Sequence, residues 1–156
     1  MATPHAKPAR PGGLDGMGLT IAVITARWNA EVCEALTAGA VRAIERCGAR
    51  GVHESAPGAF ELPFAARTLA LRGDVDAIVV IGCVIRGETT HYEIVSEGCA
   101  DGVMRVQLDT GVPIGLGVVT VEDRAQAVAR SQPAGGHNVG EDAALAAIEM
   151  AVLARG

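Results

Sequence analysis

Residues 82–95, with the sequence GCVIRGETTHYEIV, combine features that can bind an anion and transfer a proton. They begin at the end of an apolar run, residues 77–82, typical of a buried parallel strand, and lead into a segment with helical spacing. Between the two lies a polar turn, residues 86–90, followed at once by His91. Backbone N–H groups that open a helix suit an anion such as phosphate, and an imidazole can transfer protons near neutral pH. Because ligands of open α/β sheets bind beyond the carboxyl ends of the strands, this stretch is a candidate site.

The loop after the first predicted strand supplies Trp28 and Asn29. An indole can stack on a flat heterocycle, and an amide beside it can form hydrogen bonds to the ring. The alternative is that Trp28 packs on its own helix while Asn29 serves as its N-cap. Considered alone, this loop favours the alternative.

The loop after the second predicted strand has the sequence PGAFELP at residues 57–63. Gly58 allows a ligand to approach the backbone closely, and Glu61 can accept hydrogen bonds from a polyol. Arg130 can complete an anion site, because guanidinium binds phosphate through two parallel hydrogen bonds. Glu61, Arg130 and His91 each have a structural alternative. Glu61 can be a carboxylate that is favoured in the first turn of a helix, and Arg130 can be a surface side chain near a helix end. His91 can be an exposed residue that follows a capped helix start.

These loops must be positioned by an alternation of strands and helices. The strand pattern covers residues 19–24, 51–56, 77–81 and 114–119, and helical patterns follow each strand. The helical segments are residues 30–47, a stretch with Phe60, Phe64 and Leu71, a stretch from His91 to Val106, residues 122–130 and residues 141–154, with a loop at 131–138. Such alternation predicts a single α/β domain: a flavodoxin-like, three-layer α/β/α sandwich around a four-stranded parallel sheet.

Length and composition agree with one domain of ordinary globular character. The chain has 156 residues and a formal net charge of −5, which gives no electrostatic basis for binding nucleic acid. We predict a flexible tail at residues 1–18, which is rich in Pro, Gly and Ala and lacks the apolar core of a signal peptide, and a folded domain at residues 19–156. No apolar run is long enough to span a membrane.

The four cysteines are widely spaced and form no C-x-x-C pair. This predicts reduced thiols in a cytoplasmic protein, with neither a zinc site nor a disulfide framework. Nucleotide-binding motifs are also absent: the chain has no G-K-[ST] of a Walker loop, and Gly115 and Gly117 lie inside a predicted strand without the third glycine of a Rossmann fingerprint.

Taken together, the strand-end segments resemble the lumazine synthase family. The matching pieces are ARWN at residues 26–29, PGAFELP at 57–63, VIRGETTHY at 84–92, DTGVP at 109–113 and AIEM at 147–150. They occur in the family's order and spacing and cover nearly the whole chain from Leu19 to Ala154. The resemblance implies a transferase of riboflavin biosynthesis that uses no metal or organic cofactor. It condenses 5-amino-6-(ribitylamino)uracil with 3,4-dihydroxy-2-butanone 4-phosphate to give 6,7-dimethyl-8-ribityllumazine, phosphate and water. The alternative is a non-catalytic binder of lumazine or flavin on the same scaffold.

The resemblance also implies a role for each matched residue. His91 would be the general acid and base. Around the ring the substrate-binding residues would be Trp28 and Asn29, with the backbone at Val84 and Ile85. Ala59 and Glu61 would hold the ribityl chain, and Phe60 between them would be a further substrate-binding residue. The amides of Glu88 and Thr89 would bind the phosphate with Arg130, and Leu116 would come from a neighbouring subunit.

Two positions depart from the family pattern. Val139 stands where many members have a lysine near the ribityl chain, and His137 and Asn138 are candidates to replace it. Leu116 stands where an aromatic residue is frequent. The resemblance further implies a homopentamer, or a multiple of pentamers, with sites between subunits and with riboflavin synthase as a further partner. The length of the 131–138 loop favours a free pentamer.

Overall fold

The structure is a computed structural model that describes residues 13–156. A four-stranded parallel sheet has the strand order β2-β1-β3-β4. The strands are β1 (Thr20–Ala26), β2 (Arg50–Ala56), β3 (Ala77–Ile85) and β4 (Ile114–Val121), and the helices are α1 (Ala30–Arg46), α2 (Leu62–Arg72, preceded by a 3₁₀ turn at Ala59–Glu61), α3 (His91–Thr110), α4 (Arg124–Ala129) and α5 (Val139–Arg155). The predicted fold class and the order of its elements are confirmed.

The two central strands, β1 and β3, are apolar along almost their whole length because both of their faces are covered. Helices α1 and α5 pack on one face, where the core includes Ile21, Leu36 and Ile148. Helices α2 and α3 pack on the other face, where the core includes Ile24, Leu62 and Val103. The edge strand β2 is mostly exposed and correspondingly polar, which explains its weak sequence pattern.

Strand β3 is longer than its apolar run predicts. Its last residues, from Gly82 to Ile85, pair with β4 from Val118 to Val121. The backbone N–H of Arg86 then donates to the carbonyl of Val121 over 2.9 Å, so the polar turn starts from a fixed point on the sheet. This extension holds the candidate turn against the end of β4.

Helices α1 and α5 approach each other closely where two glycines face across the contact. A Cβ on Gly140 would lie 1.9 Å from the carbonyl oxygen of Leu36, and one on Gly39 would lie 2.1 Å from Oδ1 of Asn138. The side chain of Asn138 also accepts a hydrogen bond from the backbone N–H of Glu141. This cap explains why α5 begins at Val139, two residues before the predicted start.

Of the predicted tail, residues 1–12 lie outside the described part of the chain. Within residues 13–18, the N–H of Gly16 donates to the carbonyl of Cys47 over 2.8 Å. The guanidinium of Arg155 donates to the carbonyls of Asp15 and Met17, each over 2.9 Å. None of the helices between residues 13 and 156 is long and apolar enough to cross a membrane.

Candidate active site

A cleft lies at the carboxyl ends of the central strands, where the loops after β1, β2 and β3 meet. It has two adjoining lobes of about 430 and 310 Å³. Both lobes are lined by Trp28, Ala59, His91 and Val95. The first lobe adds Gly58, Phe60, Glu61 and Ile94, and the second adds Asn29, Cys83, Val84 and Ile85. Eight of the predicted site residues are therefore brought together: Trp28, Asn29, Ala59, Phe60, Glu61, Val84, Ile85 and His91.

The indole of Trp28 is 73% exposed and lies over Gly58 rather than inside the core. A Cβ on Gly58 would be 2.9 Å from Cδ1 of Trp28 and 3.3 Å from Oε2 of Glu61. Glycine at this position therefore lets the aromatic plate and the carboxylate approach the same stretch of backbone. A large apolar side chain left in solvent beside a cleft is suited to binding a flat ligand.

Asn29 stands at the N-cap position of α1 and links two of the loops through its side-chain amide. It has φ 57°, the only left-handed backbone conformation at a non-glycine residue within residues 13–156. Its side chain forms no capping hydrogen bond, and its amide Nδ2 donates to the carbonyl of Cys83 over 2.9 Å. Asn29 therefore occupies the N-cap position of α1, as the structural alternative has it, but its side chain does not cap the helix. Such a strained residue persists only where the surrounding structure holds it, and here it joins the loop after β1 to the end of β3.

The buried thiol of Cys33 forms a hydrogen bond to the loop that follows β1. Burial raises the pKa of the Cys33 thiol to about 12, with smaller contributions from Cys83 and Glu34. The neutral thiol donates to the carbonyl of Trp28 over 3.2 Å. Burial also raises the pKa of Cys83 in the floor of the second lobe, so neither thiol is an activated nucleophile.

The turn before His91 leaves backbone donors free. Thr90, at the N-cap position of α3, forms no side-chain capping bond, while Oγ1 of Thr89 accepts from the N–H of His91 over 3.3 Å. Within residues 13–156 no acceptor is bound to the N–H of Glu88 or Thr89. Free N–H groups at the positive end of a helix dipole form an anion-binding arrangement.

Charged side chains surround the start of this turn. The guanidinium of Arg86 forms a close ion pair with Glu93 through Nη1, and its Nε lies 3.1 and 3.0 Å from the two carboxylate oxygens of Glu122. It also lies over the ring of Tyr92, 4.2 Å from the centroid. Its hydrogen bond to Glu93 lowers the pKa of that carboxyl and raises the pKa of Arg86.

Four of the predicted site residues line neither lobe: Glu88 and Thr89, in the turn before α3, and Leu116 and Arg130. Leu116, on β4, lines a separate cavity of about 210 Å³ beside Ser96 and Thr120. The guanidinium of Arg130 donates to the carbonyl of Gln126 on its own helix over 3.0 Å.

Asn138 is not available as a replacement for the missing lysine. It is 1% exposed, and its Nδ2 donates to the carbonyls of Ala35 and Gln132, each over 3.0 Å. Its Oδ1 accepts from the N–H of Glu141, so the whole amide is used to hold the start of α5. His137 has an exposed side chain and lies 3.7 Å from a carboxylate oxygen of Asp142.

Sequence reasoning missed Ile94 and Val95, which line the cleft beside His91. Their spacing of three and four residues from His91 was the available signal, because such residues share one face of a helix. It also missed the roles of Glu93 and Glu122, for which no local pattern exists. Among residues 13–156 there is no group of three or more His, Cys, Asp or Glu side chains placed to hold a metal ion.

Comparison with known proteins identifies relatives along nearly the full length of the chain. A family model described as 6,7-dimethyl-8-ribityllumazine synthase matches residues 18–155. A protein of that name from Kineococcus radiotolerans is 48% identical over 145 residues, which cover 92% of this chain and 89% of the relative. A protein of the same name from Leifsonia xyli subsp. xyli is 41% identical, and the match covers 95% of this chain and 94% of the relative. Another, from Paraburkholderia phymatum, is 42% identical, and the match covers 90% of this chain and 81% of the relative.

Proposed function

This chain belongs to the 6,7-dimethyl-8-ribityllumazine synthase family, and we propose that the cleft between Trp28 and His91 is its catalytic site. The protein is an enzyme, a transferase of riboflavin biosynthesis. It condenses 5-amino-6-(ribitylamino)uracil with 3,4-dihydroxy-2-butanone 4-phosphate to give 6,7-dimethyl-8-ribityllumazine, phosphate and water. No observation favours a non-catalytic lumazine- or flavin-binding protein on the same scaffold.

The observation that supports this site most strongly is that both lobes of one cleft share Trp28 and His91. An aromatic plate for a pyrimidine and an imidazole for proton transfer therefore border the same space. The free N–H groups of Glu88 and Thr89 lie three and two residues before His91 in the chain. The two substrates, one with a flat ring and one with a phosphate, match these two kinds of binding group.

Each lobe suits a different part of the substrates. We assign the pyrimidine to the face of Trp28, with Asn29 orienting the loop and the backbone at Val84 and Ile85 beside the ring. The ribityl chain would extend along Ala59 and Phe60, with its hydroxyls donating to Glu61. The phosphate would accept hydrogen bonds from the Glu88 and Thr89 amides and from Arg130.

The reaction requires that the two substrates be held close together and that protons be transferred. The amine of the pyrimidine attacks the ketone and water is lost to form an imine, phosphate is then eliminated, and the ring closes with loss of water. Holding two reactive molecules together supplies a large share of the acceleration. His91 borders both lobes, so it can take the proton removed before phosphate leaves and return protons to departing oxygen atoms.

The site is completed by a neighbouring subunit in the assembly that we propose, a homopentamer. Arg130 and Leu116 do not line the cleft of their own chain, so they are free to serve the cleft of a neighbour. Helices α2 and α3 also expose large apolar side chains, among them Phe64 and Leu108, which are 77% and 74% exposed. Apolar patches of this kind are typical of subunit contacts. Sedimentation equilibrium should give five times the mass of one chain, and a monomer with full activity would contradict the shared site.

We also propose a cytoplasmic location and, as a further partner, riboflavin synthase. The location is supported by the four cysteines, which are widely spaced and form no C-x-x-C pair. The partner is supported by the reaction alone, because 6,7-dimethyl-8-ribityllumazine must be consumed by a following enzyme. Co-sedimentation with riboflavin synthase would test the contact.

The enzyme assay follows the absorbance and fluorescence of lumazine formed from the two substrates. We expect turnover only when both are present, without added metal and in the presence of a chelator. A protein that binds lumazine but forms none would instead be the non-catalytic binder.

Arg130→Ala should raise the KM for the butanone phosphate by about 10- to 100-fold, because a hydrogen bond to a charged group contributes about 1.5–3 kcal/mol. The KM for the pyrimidine should change little. Arg72→Ala, which removes an exposed arginine at the end of α2, is the matched control. An unchanged KM for the phosphate substrate would remove Arg130 from the anion site.

Gly58→Ala should raise the KM for the pyrimidine about tenfold, or ~1.4 kcal/mol of binding free energy, because the new methyl group would displace the indole of Trp28. The unfolding temperature should stay near that of the parent, since Trp28 is exposed. Gly51→Ala is the control, because its Cβ would meet its neighbours no closer than 3.7 Å. Equal KM values for Gly58→Ala and the parent would show that Trp28 does not hold the pyrimidine.

A further inference from the structure

We propose that Arg86 is a positioning residue for the phosphate-binding turn, acting through Glu93 and Glu122, and that it is not itself a phosphate ligand. This inference rests on the proposed function, which assigns the phosphate to the amides of Glu88 and Thr89. Arg86 begins the turn, and it is the positively charged residue nearest in sequence to these two amides.

Arg86, directly after β3, is joined to two other segments, the end of β4 with the adjacent Glu122 and the first turn of α3. Its backbone N–H donates to Val121 at the end of β4, its Nε lies 3.1 and 3.0 Å from the oxygens of Glu122, and its Nη1 pairs with Glu93 in the first turn of α3. The turn that presents the free amides runs between these attachment points. Because its two ends are held by one rigid guanidinium, the distance between the end of the sheet and the start of α3 is set by this side chain.

The charges around Arg86 argue against direct phosphate binding. One guanidinium is shared by two carboxylates, so the group as a whole carries a formal charge of −1. The ring of Tyr92 lies 4.2 Å from the guanidinium carbon and covers one of its faces. A phosphate that approached Arg86 would therefore meet two carboxylates that are already bound to it. Arg130, whose Nη1 is bound only to a carbonyl oxygen, is the better ligand.

A surface ion pair by itself adds little stability, so the expected effect is on geometry and not on folding. A bidentate, planar guanidinium is replaced poorly by a lysine ammonium, which holds one point instead of two. Likewise, a shorter carboxylate at position 122 keeps its charge but cannot reach the same nitrogen. Variants that preserve charge therefore separate positioning from electrostatic attraction.

The test uses Arg86→Lys, Glu122→Asp and the double variant in the full-length enzyme. We expect each single variant to raise the KM for the butanone phosphate and the Kd for inorganic phosphate by about three- to tenfold. The KM for the pyrimidine should stay within about twofold. In the double variant, the KM for the butanone phosphate should be no higher than in the single variant with the higher KM. The reason is that both substitutions disrupt the same ion pair, so their effects do not add.

The matched control is the ion pair between Arg46 and Glu141, which are 3.0 Å apart and join α1 to α5 on the opposite face of the sheet. Arg46→Lys and Glu141→Asp should leave both KM values unchanged. This comparison separates the loss of a particular tie from the general loss of an ion pair.

Three results would overturn the proposal. If Arg86 binds phosphate directly, Glu122→Asp will leave the KM for the phosphate substrate unchanged or lower it, because the guanidinium is less tightly held by carboxylate. If the ion pairs are merely structural, the unfolding temperature will fall while both KM values stay equal to those of the parent. If the effects of the two variants simply add, the residues do not act as one unit.

Failure of the proposed function would look different. In that case the parent enzyme would form no lumazine from the two substrates. The binding of inorganic phosphate by parent and variants, measured by calorimetry, would still decide whether Arg86 positions the turn.

Discussion

His91→Ala slows formation of lumazine by up to about 10²- to 10⁴-fold, the range expected for loss of a general acid and base, and does not abolish it. The reason is that binding and orientation of the two substrates remain, and these supply much of the acceleration. The KM values should change little, because His91 borders the cleft without being assigned to hold either substrate. Single-turnover kinetics with both substrates at saturation measure the effect directly.

The matched control for this variant is His53→Ala, on the exposed edge strand β2. It removes an imidazole that lines neither lobe of the cleft, so turnover should equal that of the parent. If His91→Ala also retains the parent's turnover, His91 has no part in the mechanism. A rise in KM without a change in kcat would make it a binding residue instead.

Asn138→Ala lowers the free energy of unfolding by about 2–4 kcal/mol, since a buried donor or acceptor left without its partner costs about 1–3 kcal/mol. The carbonyls of Ala35 and Gln132 would each lose a hydrogen bond from this amide, and α5 would lose its cap. The variant also leaves a cavity beside Gly39, where the amide now packs. Urea denaturation with the parent's m-value is the measurement.

His137→Ala is the control, because His137 is next to Asn138 in the chain but its side chain is 49% exposed. Its removal should change the free energy of unfolding by less than about 0.5 kcal/mol. Where both variants are folded, Asn138→Ala should leave the KM for the pyrimidine unchanged. A raised KM in Asn138→Ala at full stability would mean that the amide serves the ribityl chain after all. A raised KM in His137→Ala would make that imidazole the replacement for the usual lysine.

Element order was predictable because each element has a local pattern. The continuous apolar run of residues 77–81 belongs to a strand with both faces covered, and the spacing of Val32, Leu36 and Ala40 places them on one buried face of α1. Element ends were less predictable. Strand β3 runs to Ile85 because its last residues pair with β4, and α5 starts at Val139 because Asn138 caps it.

The candidate site was predictable to the extent that its residues lie in short segments after strands. Parallel strands bring their carboxyl ends to one edge of the sheet, so the loops with Trp28, Glu61 and His91 had to be neighbours. The partners of these loops were not predictable. Asn29 resembles an N-cap in the sequence, yet its amide reaches Cys83, and no local rule pairs Arg86 with Glu122.

By itself, the sequence determined the parallel α/β fold, the three loops of the cleft and the resemblance to the lumazine synthase family. Periodicity, turn residues and short motifs are local, so they survive in the one-dimensional chain. Only the tertiary structure decided which side chains form the hydrogen bonds and ion pairs that connect the segments of the site. The bonds from Asn29 to Cys83, Arg86 to Glu122 and Asn138 to Ala35 join residues 54, 36 and 103 positions apart. Such bonds depend on strand order, register and the closeness of two helices, which arise only when the whole domain packs.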